Sequence, residues 1–159
     1  VLDMHSARWV APERYEIVPG AKRFETWEFN YASVLGLGVA VDYALAIGLR
    51  PIEARTRMLA AGLRERLGDI AGISVHDLGR APSGIVTFSH TDKPSREIVA
   101  ELTARDMIVS LSDGSGARLD QVRRNLPDMV RAAPHYFNTE AELDRFAAAV
   151  AGIVSRPAL

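Results

Sequence analysis

An α+β fold is predicted for most of this chain, on three observations. From residue 50 onward the apolar residues alternate between helical and strand periods, in the order helix, strand, strand, helix, strand, strand, helix. The strand candidates are short and bounded by turn residues, whereas each helix candidate gathers its apolar residues into a stripe. Ahead of them, the stretch from Tyr31 to Ile47 is apolar almost all round, the mark of a helix buried between layers. The first two observations describe a small antiparallel or mixed sheet with helices packed on one face. The third places a long buried helix in front of it that needs a partner beyond the small unit.

The elements follow in order. Residues 1–29 mix aromatic, charged, proline and glycine residues without a clear period, and only short extended pieces are expected there, around Tyr15–Val18. Gly48 ends the apolar helix and Pro51 stands in the first turn of the next. That second helix has Ile52, Leu59, Leu63 and Leu67 on one side and Arg55, Arg57, Arg64 and Arg66 on the others, with Glu53 and Arg57 spaced for an i,i+4 ion pair. Ile73–His76 and Ile85–Ser89 read as strands, Pro94–Ala104 as a helix, Met107–Leu111 and Met129–Ala132 as two further strands. A short helical turn is expected at Leu119–Arg124. Thr139-x-x-Glu142 is a capping box that opens the last helix, with Leu143, Phe146, Val150 and Ile153 on its apolar face.

Composition narrows the function. Apolar residues make up 48% and charged residues 25%, ordinary values for a globular domain. A net charge of −1 gives no reason to expect a nucleic acid or an anionic membrane as partner. There are no cysteines, which excludes disulfides, thiolate metal sites and thiol nucleophiles from this chain. The four histidines lack metal-ligand spacing, so no metal is expected. Gly36-Leu-Gly38 lies inside the apolar helix and reads as a point of close helix packing, not as a dinucleotide loop. The first residues lack a signal-peptide pattern, and a cytoplasmic protein is expected. The chain does not begin with methionine, and it is expected to be an excerpt of a longer one or a chain from which a tag has been trimmed.

Two segments carry chemistry. Arg23-Phe24-Glu25-Thr26-Trp27-Glu28-Phe29-Asn30-Tyr31 is dense in rings and charges just before the apolar helix, as befits an interface or a site wall. Val130-Arg131-Ala132-Ala133-Pro134-His135-Tyr136-Phe137-Asn138-Thr139-Glu140 sets one arginine in an otherwise apolar strand. Buried there, its charge has to be paired. The partner is either an internal acid or a substrate carboxylate held by the planar guanidinium fork.

Together these two segments resemble the class V aminotransferase family, with Gly84-Ile-Val-Thr-Phe88 also in register. The likeness runs from Arg23 to Ile153. It implies an enzyme of fold type I in which a large domain holds pyridoxal phosphate through a lysine and a small C-terminal domain closes over it. Residues 1–48 would then be the end of the large domain and residues 49–159 the small domain. The resemblance makes Arg131 the holder of the substrate α-carboxylate and places Trp27, Glu28 and Asn30 near the cofactor phosphate of a partner subunit in a homodimer. Transamination or epimerisation of an amino acid is the implied activity. The likeness is to isopenicillin N epimerase-like members; cysteine desulfurases carry a cysteine on the loop that here runs Ser112–Pro127, and Gly-Thr where this chain has Trp27-Glu28. Neither Lys22 nor Lys93 stands in the family's lysine context; both are expected to be solvated, and the chain alone to be inactive. A non-catalytic α+β module for ligand binding or dimerisation is the alternative reading.

Overall fold

A computed structural model describes residues 6–25, 29–116 and 118–155. The chain falls into two compact units, Val1–Ala46 and Ile47–Leu159.

In the first unit, strands β1 (Ala7–Ala11) and β2 (Arg14–Ile17) form an antiparallel hairpin, followed by a 3-10 turn at Ala21–Phe24 and helix α1 (Tyr31–Ile47). Strand β2 falls on the extended piece expected around Tyr15–Val18, whereas β1 and its pairing are not foreseen in the sequence. The hairpin's residues do not alternate, because both faces are largely exposed, and cross-strand pairs such as Trp9 and Tyr15 (ring centroids 6.1 Å apart) stand in for a buried face. Helix α1 has the expected bounds but not the expected burial: no position along it is buried. Apart from the helix's own backbone, no described atom lies within 4 Å of where a Cβ on Gly36 or Gly38 would stand, so no close-packed neighbour of these glycines is present among the described residues. No single described helix is long and apolar enough to cross a membrane.

The second unit holds α2 (Leu49–Gly68), β3 (Ile73–Val75), β4 (Val86–His90), α3 (Ser95–Thr103), β5 (Ser110–Ser112), α4 (Arg118–Arg124), β6 (Met129–Ala132) and α5 (Glu140–Val154). The strands form one antiparallel sheet in the order β3-β4-β6-β5. Leu59, Leu63 and Leu67 of α2, Ile98 and Leu102 of α3, and Leu143, Val150 and Ile153 of α5 meet Val86, Phe88, Val130 and Ala132 of the sheet in a single core. Phe88 is fully buried and stands edge-on to Phe146 at 6.3 Å. The order and face of these elements match the periodicity. β5 differs: it begins at Ser110, because Asp106 adopts a left-handed conformation (φ 58°) and the Met107 backbone N–H turns back to Leu102. Gly48, with φ 98°, makes the turn between α1 and α2 that a residue with a Cβ would resist.

Candidate functional site

Strand alternation decides where Arg131 points. Val130 and Ala132 are turned to the helices and are 0% and 5% exposed, so Arg131 between them is turned to the opposite face, where it is exposed. Its cross-strand neighbours are Thr87 on β4 and Ser110 on β5. Thr87 directs both backbone groups toward the β3 side: its N–H donates to Asp77 Oδ1 (2.9 Å) and its carbonyl accepts from the His76 N–H (2.9 Å). Thr87 and Arg131 are therefore a closely spaced, non-hydrogen-bonded pair, with Cα atoms about 4.5 Å apart. Ser110, on the other flank, is exposed, whereas Met129 and Ser89 further along are buried. The opening is local to Arg131.

The guanidinium of Arg131 makes no ion pair or hydrogen bond with any described residue. An arginine buried in this strand would need a partner. Exposure removes the desolvation penalty and with it the requirement.

The surroundings of Arg131 are held by groups that the sequence reading passed over. Asp77 accepts from the Thr87 hydroxyl (2.7 Å) and backbone through Oδ1, and from Arg64 Nε (2.8 Å) through Oδ2. Arg64 also donates to the carbonyls of Ser83 and Ile85, both at 2.8 Å, which fastens the loop between β3 and β4 to α2. On this loop, Gly84 lies so near α2 that a Cβ would come within 2.6 Å of Thr56 Cγ2. Next to Asp77, His76 shares a hydrogen bond of 2.8 Å with Ser89 Oγ, and its carbonyl accepts from Arg124. Burial, with the Arg124 charge adding to it, lowers the His76 pKa below the ordinary histidine value, against the opposing pull of Asp77. A helix arginine and a strand-end aspartate 13 positions apart carry no local pattern, and only the fold brings them together.

The segment after Arg131 is a rigid turn. Asn138 Oδ1 accepts from the His135 N–H (2.8 Å), and Arg55 on α2 donates to the Asn138 carbonyl (3.0 Å). Arg55 also grips both oxygens of Glu140, at 2.6 and 2.9 Å, and holds that carboxyl at about 2, well below the usual range. The capping box is complete: Thr139 Oγ1 accepts from the Glu142 N–H, and Glu142 accepts from the Thr139 N–H (2.7 Å). Much of this motif thus fixes the strand-to-helix corner that carries Arg131.

Of the other residues singled out by sequence, Trp27 and Glu28 lie outside the described residues. Asn30 stands just before α1, and its side-chain oxygen accepts from the Ser33 N–H (3.0 Å) as a helix cap does. Lys22 is exposed, in the 3-10 turn. Lys93 is not solvated as expected. It is 9% exposed, with Nζ 3.1 Å from Glu101 and 3.9 Å from Glu97, because α3 starts directly after it and turns those two carboxylates toward it. No group of three or more potential metal ligands occurs among the described residues. A cavity of about 570 Å³ opens beside the end of β6, lined by Met107, Ile108, Val109, Phe137, Leu143 and Phe146 among others; Arg131 is not part of its wall. The surface Arg131 faces is open, not enclosed.

Comparison with known proteins shows the family and the fold. Residues 8–146 match the model of the family described as aminotransferase class-V. A probable hercynylcysteine sulfoxide lyase of Mycobacterium tuberculosis is 32% identical over 146 residues, covering 91% of this chain and 36% of its own length. A probable cysteine desulfurase of Xylella fastidiosa is 28% identical over 128 residues, which is 80% of this chain and 30% of that protein. Among solved structures, a cysteine desulfurase from Thermococcus onnurineus superposes with a TM-score of 0.76 at 20% identity, covering 98% of this chain and 39% of that one. The cystine C–S lyase C-DES, solved with glycine covalently linked to its pyridoxal-phosphate cofactor, gives 0.67 at 21% identity. The chain spans about a third of the length of these relatives, whose names point to carbon–sulfur chemistry and not to the epimerases that the motifs resemble. With 139 consecutive residues inside the family model, the chain belongs to the class V aminotransferase family.

Proposed function

We propose that this chain is the C-terminal part of a pyridoxal-phosphate-dependent enzyme acting on an α-amino acid, and that Arg131 holds the substrate carboxylate. The observation that carries the proposal is the exposed guanidinium of Arg131, unpaired among the described residues, next to a corner fastened by Arg55, Asn138 and the Thr139–Glu142 capping box. A planar fork fixed at its base can take a carboxylate bidentately and so orient the amino acid about its α-carbon. The cofactor, when bound, supplies the electron sink for breaking a bond at that carbon.

The residues of this chain do not fit a covalent hold on the cofactor. Lys93 is enclosed by Glu101 and Glu97, and Lys22 stands exposed in a 3-10 turn. On the proposed reading that hold belongs to a large domain outside these 159 residues, the complete enzyme is a homodimer, and the chain alone is inactive. Membership of an enzyme family supports this reading over a non-catalytic binding or dimerisation module.

Epimerisation needs an oriented α-amino acid and proton transfer at its α-carbon; transamination needs in addition water to release the keto acid and a second keto acid to take up the amino group. Carbon–sulfur elimination is a second reading, favoured by the 32% identical lyase relative. It requires loss of the α-proton and departure of the sulfur group with its bonding pair, and no protein thiol. Persulfide formation on the protein does need a thiolate, and this chain has no cysteine to provide one.

The test is steady-state kinetics of the complete enzyme. Arg131→Ala is expected to raise KM for the amino acid roughly a hundredfold, as loss of a two-pronged charged contact should. An amine lacking the carboxylate should be turned over equally by both forms. Unchanged KM for the amino acid would overturn the proposal.

A further inference from the structure

We propose that Arg64 is a positioning residue for this site: it neutralises Asp77, the carboxylate that would otherwise capture the Arg131 guanidinium or repel the substrate's acid group. The inference rests on the reading of Arg131 given above.

Thr87 is the link. It is the closely spaced partner of Arg131 across the β4–β6 ladder, so the two side chains leave the same face of the sheet side by side. Its hydroxyl donates to Asp77 Oδ1 at 2.7 Å. The Asp77 carboxylate therefore shares Thr87 as a neighbour with Arg131, one strand away on the β3 side. Asp77 is 12% exposed, so its charge is poorly screened by water.

What keeps the two apart is that Asp77 is fully engaged. Oδ1 takes the N–H and O–H of Thr87, and Oδ2 takes Arg64 Nε at 2.8 Å. Arg64 is itself only 17% exposed and is locked in place by two backbone carbonyls, those of Ser83 and Ile85. Arg124, which donates to the carbonyl of His76 next to Asp77, is also held by Asp120. Arg64 and Asp77 thus form a closed, neutral pair, which leaves Arg131 without an acid partner among the described residues. Without Arg64 the same aspartate would present an uncompensated negative charge beside the place where a substrate carboxylate has to come.

The experiment measures binding of propanoate, a carboxylate with no amino group, to the complete enzyme by calorimetry. Arg64→Met is expected to raise the dissociation constant about tenfold, the scale of one charge-assisted contact. The double variant Arg64→Met/Asp77→Asn restores neutrality and should return the constant to within about threefold of the parent. The deficit of the single variant should also shrink as salt is raised, because it is a charge effect. A merely structural role for Arg64, through its grip on the Ser83 and Ile85 carbonyls, would not be rescued by the second substitution. If the single variant binds propanoate as well as the parent, or the double variant binds no better than the single one, the inference is overturned. Arg131→Ala is the separate check: undiminished propanoate binding there would overturn the proposed function itself, whereas loss there with no effect at Arg64 would overturn only the role of Arg64.

Discussion

Arg131 and His76 show how the fold sets side-chain chemistry at this site. Arg131 was legible as a functional candidate from one anomaly, a charge in an apolar strand. Its freedom was not legible, because that depends on which face the strand turns outward and on Arg64 occupying Asp77 from another element. His76 looks in the sequence like a strand-end residue of no consequence. In the fold it is half-buried, shares a hydrogen bond with Ser89 and lies beside Arg124, and its pKa falls. Nuclear magnetic resonance should find it titrating below the usual 6.5, in the neutral form near pH 7. For a base whose folded pKa is lowered, the unfolded chain binds the proton more readily. Stability is therefore highest above 6.5 and declines as pH falls through the interval between the two values. A His76 resonance titrating above 6.5 would contradict this environment.

At the scale of elements, the corner between β6 and α5 is the best-specified part of the structure and the part that the sequence displayed most openly. Thr139 and Glu142 have the spacing of a capping box and form one, so the start of α5 could be read from four residues. Thr139→Ala should destabilise the unit by about 1 kcal/mol, seen as a lower denaturant midpoint with an unchanged slope. Arg55 was readable only as decoration on α2, since its partners Asn138 and Glu140 lie more than 80 positions away. Glu140 is held at about 2, against 4.5 unperturbed, chiefly by the Arg55 hydrogen bonds. Because the folded value is depressed, the stabilisation is present above about 4.5 and is lost as pH falls toward 2. Glu140→Gln should therefore flatten the acid limb of the stability curve between those values. An acid limb identical to that of the parent would count against the clamp. Elements whose pattern depends on one buried face, such as α2, α5 and β6, were readable; the β1–β2 hairpin, exposed on both faces, left no alternation to read.

For the molecule as a whole, the core of the second unit follows from periodicity, while α1 shows where periodicity stops. A helix apolar on every side states that cover exists and says nothing about what provides it. In this chain every turn of α1 is exposed, and the relatives are about three times as long. Lys93 gives the converse lesson: a charge next to a proline looks solvated in one dimension and is enclosed by two glutamates in three. The most direct measurement is a crystal structure of the complete enzyme with a bound amino acid. The substrate carboxylate should lie against Arg131, with two nitrogen–oxygen contacts of about 2.7–2.9 Å. A carboxylate seated on another group, with Arg131 turned away to solvent, would contradict it.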